Sequence, residues 1–109
     1  MNPTKSSEQS PAKKGYWVAA YQSISDEAAL KAYRPLAVAA VQSFGGRFLT
    51  GPTSQIQAHE AGLAMRTTLV EFDSYATALK AYESEAYQKA LQVLGSGAER
   101  DHRIVEGGP

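Results

Sequence analysis

Glu71 stands in the run Arg66 to Phe72 (RTTLVEF), whose β-branched residues alternate so that Thr67, Leu69 and Glu71 share one side and Thr68, Val70 and Phe72 the other. A carboxylate enclosed on such a face must be paired, hydrated or raised in pKa. Two roles are open to it: an ion pair with Arg47 or Arg66 that fixes register, or a base for proton transfer. His59 and His102 are the only histidines, and histidine alone titrates near neutral pH without help. His59 is a candidate acid or base on a loop over a cleft, weighed against a plain surface or capping role. Tyr33, Tyr82 and Tyr87 fall on the apolar sides of helical patterns, as packing residues or as phenols that orient a ligand. With Arg47, Arg66 and Ser84 they make up the candidate ligand-binding set, and Glu71 and His59 the candidate catalytic one.

Other chemistries are excluded by residue type. The chain has no cysteine, which removes disulfides, thiolate nucleophiles, iron–sulfur clusters and thiolate zinc sites. His59 and Glu60 are adjacent and diverge in an extended segment, so no metal site is expected, and no cofactor motif is present. Gly45-Gly46 follows a helix and precedes a strand, the reverse of a phosphate-binding glycine turn. Eleven basic residues balance eleven acidic ones, whereas nucleic-acid binders concentrate positive charge, so nucleic acid is not an expected partner. Met1 to Lys14 is polar, without an apolar run long enough for a secretory signal or a membrane span. It reads as a disordered leader (1–14) before one domain (15–107), and a cytoplasmic protein is expected.

The elements that must position these residues follow in a clear order. Tyr16 to Gln22 is apolar on both alternating faces, as in a strand covered on both sides. Ser25-Asp26-Glu27 opens a helix in which Leu30, Tyr33, Ala37, Val41 and Phe44 form the apolar stripe. Pro35 inside it predicts a kink near Lys31 to Arg34, or two shorter helices. Gly45-Gly46 ends the helix and Arg47 to Thr50 reads as the second strand. Gln55 to His59 is either a short extra strand or an irregular excursion. The third strand is Arg66 to Phe72. Asp73-Ser74 caps a second helix, which restarts at Ser84-Glu85 and stops at Gly95-Ser96-Gly97. Asp101 to Glu106 is the last strand, and the alternating charges from Glu99 to Arg103 suggest an exposed edge or turn.

Two strand–helix–strand halves predict an α+β domain: a ferredoxin-like βαββαβ fold with a four-stranded antiparallel sheet and helices on one face. Tyr16, Val18, Ala20 and Leu69 would then line the uncovered face. The simplest cover for them is a second copy, sheet to sheet, so a homodimer is expected.

From Gly15 to Gly107 the chain resembles the bacterial domain-of-unknown-function family DUF1330, within the dimeric α+β barrel superfamily. The likeness rests on Gly15-Tyr16-Trp17-Val18, Tyr33, Gly45-Gly46-Arg47-Phe48-Leu49, Arg66 leading to Glu71-Phe72, Tyr82 with Ser84-Glu85-Ala86-Tyr87, and Ile104-Val105-Glu106-Gly107. It implies a ferredoxin-like protomer, a dimer and no assigned activity. Asp73 stands where relatives usually have proline, Ala81 where an aromatic is common, and Leu94 where an arginine often follows the last helix. Superfamily relatives include cofactor-independent oxygenases, muconolactone isomerases and haem-degrading enzymes, whose catalytic residues have no motif to carry them here. The expected function is binding of a small organic ligand in a cleft between sheet and helices that includes Glu71, with cofactor-free proton transfer or oxidation as its chemistry. The alternative is a non-catalytic dimerisation module.

Overall fold

Strand β1 (Gly15–Ile24) runs through the middle of the sheet, and its alternation decides what each face becomes. The computed structural model describes residues 13–109, and the leader expected at the front lies, through residue 12, outside the described residues. After β1 come α1 (Glu27–Ser43), β2 (Arg47–Phe48), β3 (Thr67–Phe72), α2 (Tyr75–Glu83), α3 (Glu85–Leu94) and β4 (Ala98–Glu106). The sheet order is β2-β3-β1-β4 with every neighbouring pair antiparallel, which is the split βαβ arrangement of an α+β domain.

Along β1 the side chains of Trp17, Ala19 and Tyr21 are buried, while Tyr16, Val18 and Ala20 between them are only half-buried. The first set meets the helices together with Val70 and Phe72 of β3, Leu30 and Val41 of α1, and Tyr87 of α3. Trp17 is the centre of this core. Its indole N–H donates to the Ala78 carbonyl over 2.8 Å, and its ring lies 5.2 Å from Phe72 and 4.7 Å from Tyr87. A buried indole needs such a partner, because an unmet N–H costs more than the bond itself gains.

The helix ends follow from short side chains that accept from free backbone N–H groups. Asp26 caps α1 through Ala29 N, and Ser74 caps α2 through Thr77 N. Ser84 serves two helices: its hydroxyl donates to the Ala81 carbonyl at the end of α2 and accepts from Tyr87 N at the start of α3. The restart expected at Ser84 is thus a shared cap. Gly45, at φ 74°, takes the left-handed conformation that closes α1.

Several boundaries differ from the sequence expectation. Helix α1 continues through Pro35 for 17 residues and is not divided into two helices. Lys31 and Pro35 both lie on its exposed side, where water can take the carbonyl that proline leaves unpaired. β2 is two residues long rather than four. β4 starts three residues earlier than Asp101, at Ala98. Gln55 to His59 forms no strand and belongs to an irregular connection between β2 and β3.

Candidate functional site

A cavity of about 290 Å³ lies between α1 and the helix-facing side of the sheet, with Thr50, Gly51 and Pro52 of the β2–β3 connection also on its wall. Its polar wall is set by strand register. Tyr21 pairs with Arg100 on one side, and on the other its N–H donates to the Arg66 carbonyl over 3.0 Å. A row Arg66–Tyr21–Arg100 therefore crosses three strands. Both guanidinium carbons lie 5.5 Å from the Tyr21 ring centroid, each within cation–π range.

Arg100 is held by phenols. It donates to Tyr33 Oη at 2.9 Å and to Tyr87 Oη at 3.4 Å, and the two hydroxyls are 2.7 Å apart. Burial raises the Tyr33 pKa well above that of a free phenol, with Tyr87 adding to the effect and Arg100 opposing it. Tyr33 accordingly stays protonated. Arg66 is different: its Nε and Nη1 are buried and have no hydrogen-bond partner among the described residues. Among the described residues no Asp or Glu lines the cavity.

His102 also lines it, packed at 5.2 Å against Trp17 and 5.1 Å against Tyr82. Burial, and then the charge of Arg100, push its pKa down to about 4, with only Asp101 pulling upward. The unfolded chain, near 6.5, takes up the proton first as pH falls. His102 therefore subtracts nothing above pH 6.5 and destabilises progressively between 6.5 and 4, by up to about 3 kcal/mol. Urea denaturation across that range should show the loss, and His102→Gln should remove it from the difference between the two proteins. An unchanged slope in the variant would mean that other groups carry it.

The sequence-derived candidates divide between two faces. Tyr33, Tyr87 and Arg66 meet in the cavity. Glu71 does not line it: alternation places it on the opposite face of the sheet, unlike the expected cleft that included it. There Arg47 Nη2 is 2.8 Å and Nε 3.1 Å from Glu71 Oε1, and the Tyr16 hydroxyl donates to Oε2 at 2.9 Å. Arg47, then Tyr16, hold the Glu71 carboxyl below the ordinary carboxylate range. This is the arrangement of a register-setting pair rather than of a base raised toward neutrality. Its partner is Arg47 and not Arg66. His59 is exposed on the β2–β3 connection, away from the cavity wall. Tyr82 packs edge-on to Trp17, and Ser84 is occupied as a cap.

Arg100 and His102 were not among the sequence candidates, because the charges from Glu99 to Arg103 read as an exposed edge. The available signal was period two. Arg100, His102 and Ile104 share one face of β4, and Asp101, Arg103 and Val105 share the other, where Arg103 pairs with Asp101 at 3.0 Å.

Among the described residues no group of three or more His, Asp or Glu could hold a metal ion, and no helix is long and apolar enough to cross a membrane. What the geometry defines is an α+β domain with a one-sided helix layer and a cationic, aromatic cavity beneath its first helix. By sequence the chain belongs to the family described as Domain of unknown function (DUF1330), whose model matches residues 14–108. No curated protein matches it. Among solved structures it is similar in fold to the RPA0582 protein of unknown function from Rhodopseudomonas palustris. That match has TM-score 0.65 and 13% identity over 97% of this chain and 89% of the other. The methylated form of RPA0582 matches with TM-score 0.68 and 10% identity over the same shares.

Proposed function

We propose that the cavity binds a small organic anion, with Arg66 as the group that receives its charge. The observation that carries this reading is the Arg66 guanidinium, two of whose buried nitrogens meet no acceptor among the described residues, in a wall to which those residues bring no carboxylate. Buried cations are normally paired, and an unmet charged donor costs several kcal/mol, roughly. A carboxylate entering the cavity would meet that need with charge-assisted bonds. Trp17, Val70 and Val41 supply an apolar surround for the ligand's frame. A volume of this size displaces about ten waters, which corresponds to a ligand of roughly ten to fifteen non-hydrogen atoms.

Binding is favoured over proton transfer. The Glu71 carboxylate is on the other face, and a cavity imidazole with a pKa of about 4 is a weak base at neutral pH. The test is calorimetric titration with benzoate against its neutral isostere benzamide. Benzoate should bind and raise the melting temperature, and benzamide should not. Equal behaviour of the two would overturn the reading.

The same proposal places a second copy on the open face of the sheet. Leu49 and Val105 are half exposed there, beside Val18 and Leu69, and Arg47–Glu71–Tyr16 provides a satisfied polar group at its margin. Sedimentation should give twice the protomer mass at micromolar concentration. Leu69→Lys, which would bury an unpaired ammonium in such an interface, should weaken the association by about a hundredfold or more while leaving benzoate binding intact. A protomer mass for the unaltered chain would refute the pairing and leave the cavity reading standing.

A further inference from the structure

The Tyr33–Tyr87–Arg100 cluster can be counted proton by proton. Each phenol carries one hydrogen, and one of the two is consumed in the 2.7 Å contact between the hydroxyls. Arg100 donates to both oxygens and accepts nothing. The phenol that receives its neighbour's proton still holds its own, and among the described residues that O–H has no acceptor. Both phenols and Arg100 lie on the cavity wall, and no carboxylate there can accept from them. The cluster therefore offers donors and lacks an acceptor, just as Arg66 does on the far side of Tyr21.

From this donor surplus we infer that the cavity has two poles and takes an organic acid bearing a second oxygen. The carboxylate sits at Arg66, and a ketone, enol or phenol oxygen accepts from the Tyr33–Tyr87 pair and Arg100. This rests on the reading that the cavity holds an organic anion, and it adds a requirement on the anion's other end. The two guanidinium carbons are each 5.5 Å from the same ring centroid, so they are no farther apart than twice that distance. That upper limit keeps both poles within reach of a ligand no larger than one flat ring with a substituent at each end. Tyr33 remains a phenol rather than a phenolate at neutral pH because burial disfavours its charged form, which keeps the second pole a donor there.

The probes are benzoate and two matched pairs, 3- and 4-acetylbenzoate against 3- and 4-ethylbenzoate, which differ by a carbonyl oxygen at nearly constant shape. At least one acetyl compound should bind tenfold or more tighter than its ethyl partner. In Tyr33→Phe and Tyr87→Phe, which keep the rings, the ratio of acetyl to ethyl affinity should shrink by about tenfold. If benzoate binds and the acetyl and ethyl compounds are indistinguishable, the second pole is wrong and the anion reading survives. If none of the five binds, both are wrong. Should a tyrosine variant fail to fold, the matched pairs on the unaltered chain still decide the matter.

Discussion

Arg66→Met is expected to abolish binding of small carboxylates and to leave the protein as stable as before, or more so. An ordinary binding-site substitution in a core-adjacent position lowers both affinity and stability. Here the signs separate. Removing the guanidinium deletes two buried donors that no described residue satisfies, a defect worth about 1–3 kcal/mol for a buried group. The loss is the cation–π contact with Tyr21, about 0.5–2 kcal/mol. Methionine keeps much of the apolar stem. At the middle of both ranges the net change is a gain of just under about 1 kcal/mol, read as the midpoint of chemical denaturation. Affinity for benzoate should fall about a hundredfold, the loss of a charge-assisted pair. Arg66→Lys should recover little, because a single ammonium does not reproduce the planar fork. A drop in stability of 2 kcal/mol or more in Arg66→Met would mean that the guanidinium serves the fold and that its isolation is no sign of a ligand.

Phe72→Ala should be the most destabilising of the simple core truncations, at about 3–5 kcal/mol. Phe72 is fully buried at 0% exposure, and it stacks at a tilt on Trp17, the residue that ties β1 to α2. Its ring also defines the turn after α1: a Cβ placed on Gly46 would lie 2.7 Å from Phe72 Cε2 and 2.5 Å from Val41 Cγ1. Backbone on one side and indole on the other leave the site little room to collapse around a truncated residue, and incomplete collapse is what sets the cavity cost. For a domain of this size that is a large share of the total stability. Phe72→Leu should cost about half as much. Urea denaturation of the three proteins checks the order, and a cost below 1 kcal/mol for Phe72→Ala would mean that the core closes over the gap.

Where the sequence was legible, local rules carried it. The β-branched run Thr67–Phe72 alternates cleanly and placed Glu71 opposite Val70 and Phe72, as found. The helix restart at Ser84 was visible because capping is decided by neighbours in sequence. The α+β order followed from the same patterns. The cavity was only half legible. Tyr33, Tyr87 and Arg66 were singled out by type. What they do depends on Arg100, which is 67 positions from Tyr33 in the chain, and no local pattern joins the two. Glu71 stood out as a carboxylate on an enclosed face with Arg47 or Arg66 as its partner, and the edge strand β2 places Arg47 directly across from it, 2.8 Å away. The helix is not divided at Pro35 for a related reason. Its penalty is real, but only the side of the helix it occupies determines whether water can meet the orphaned carbonyl.

The interleaving of β1 has an evolutionary corollary. Trp17, Ala19 and Tyr21 face the chamber, and Tyr16, Val18 and Ala20 face away from it, so neighbouring positions meet separate surroundings. Point substitutions can retune either side alone. A single-residue insertion or deletion within that strand would exchange the two roles at every position beyond it, so lineages carrying this domain should vary very little in the length of β1.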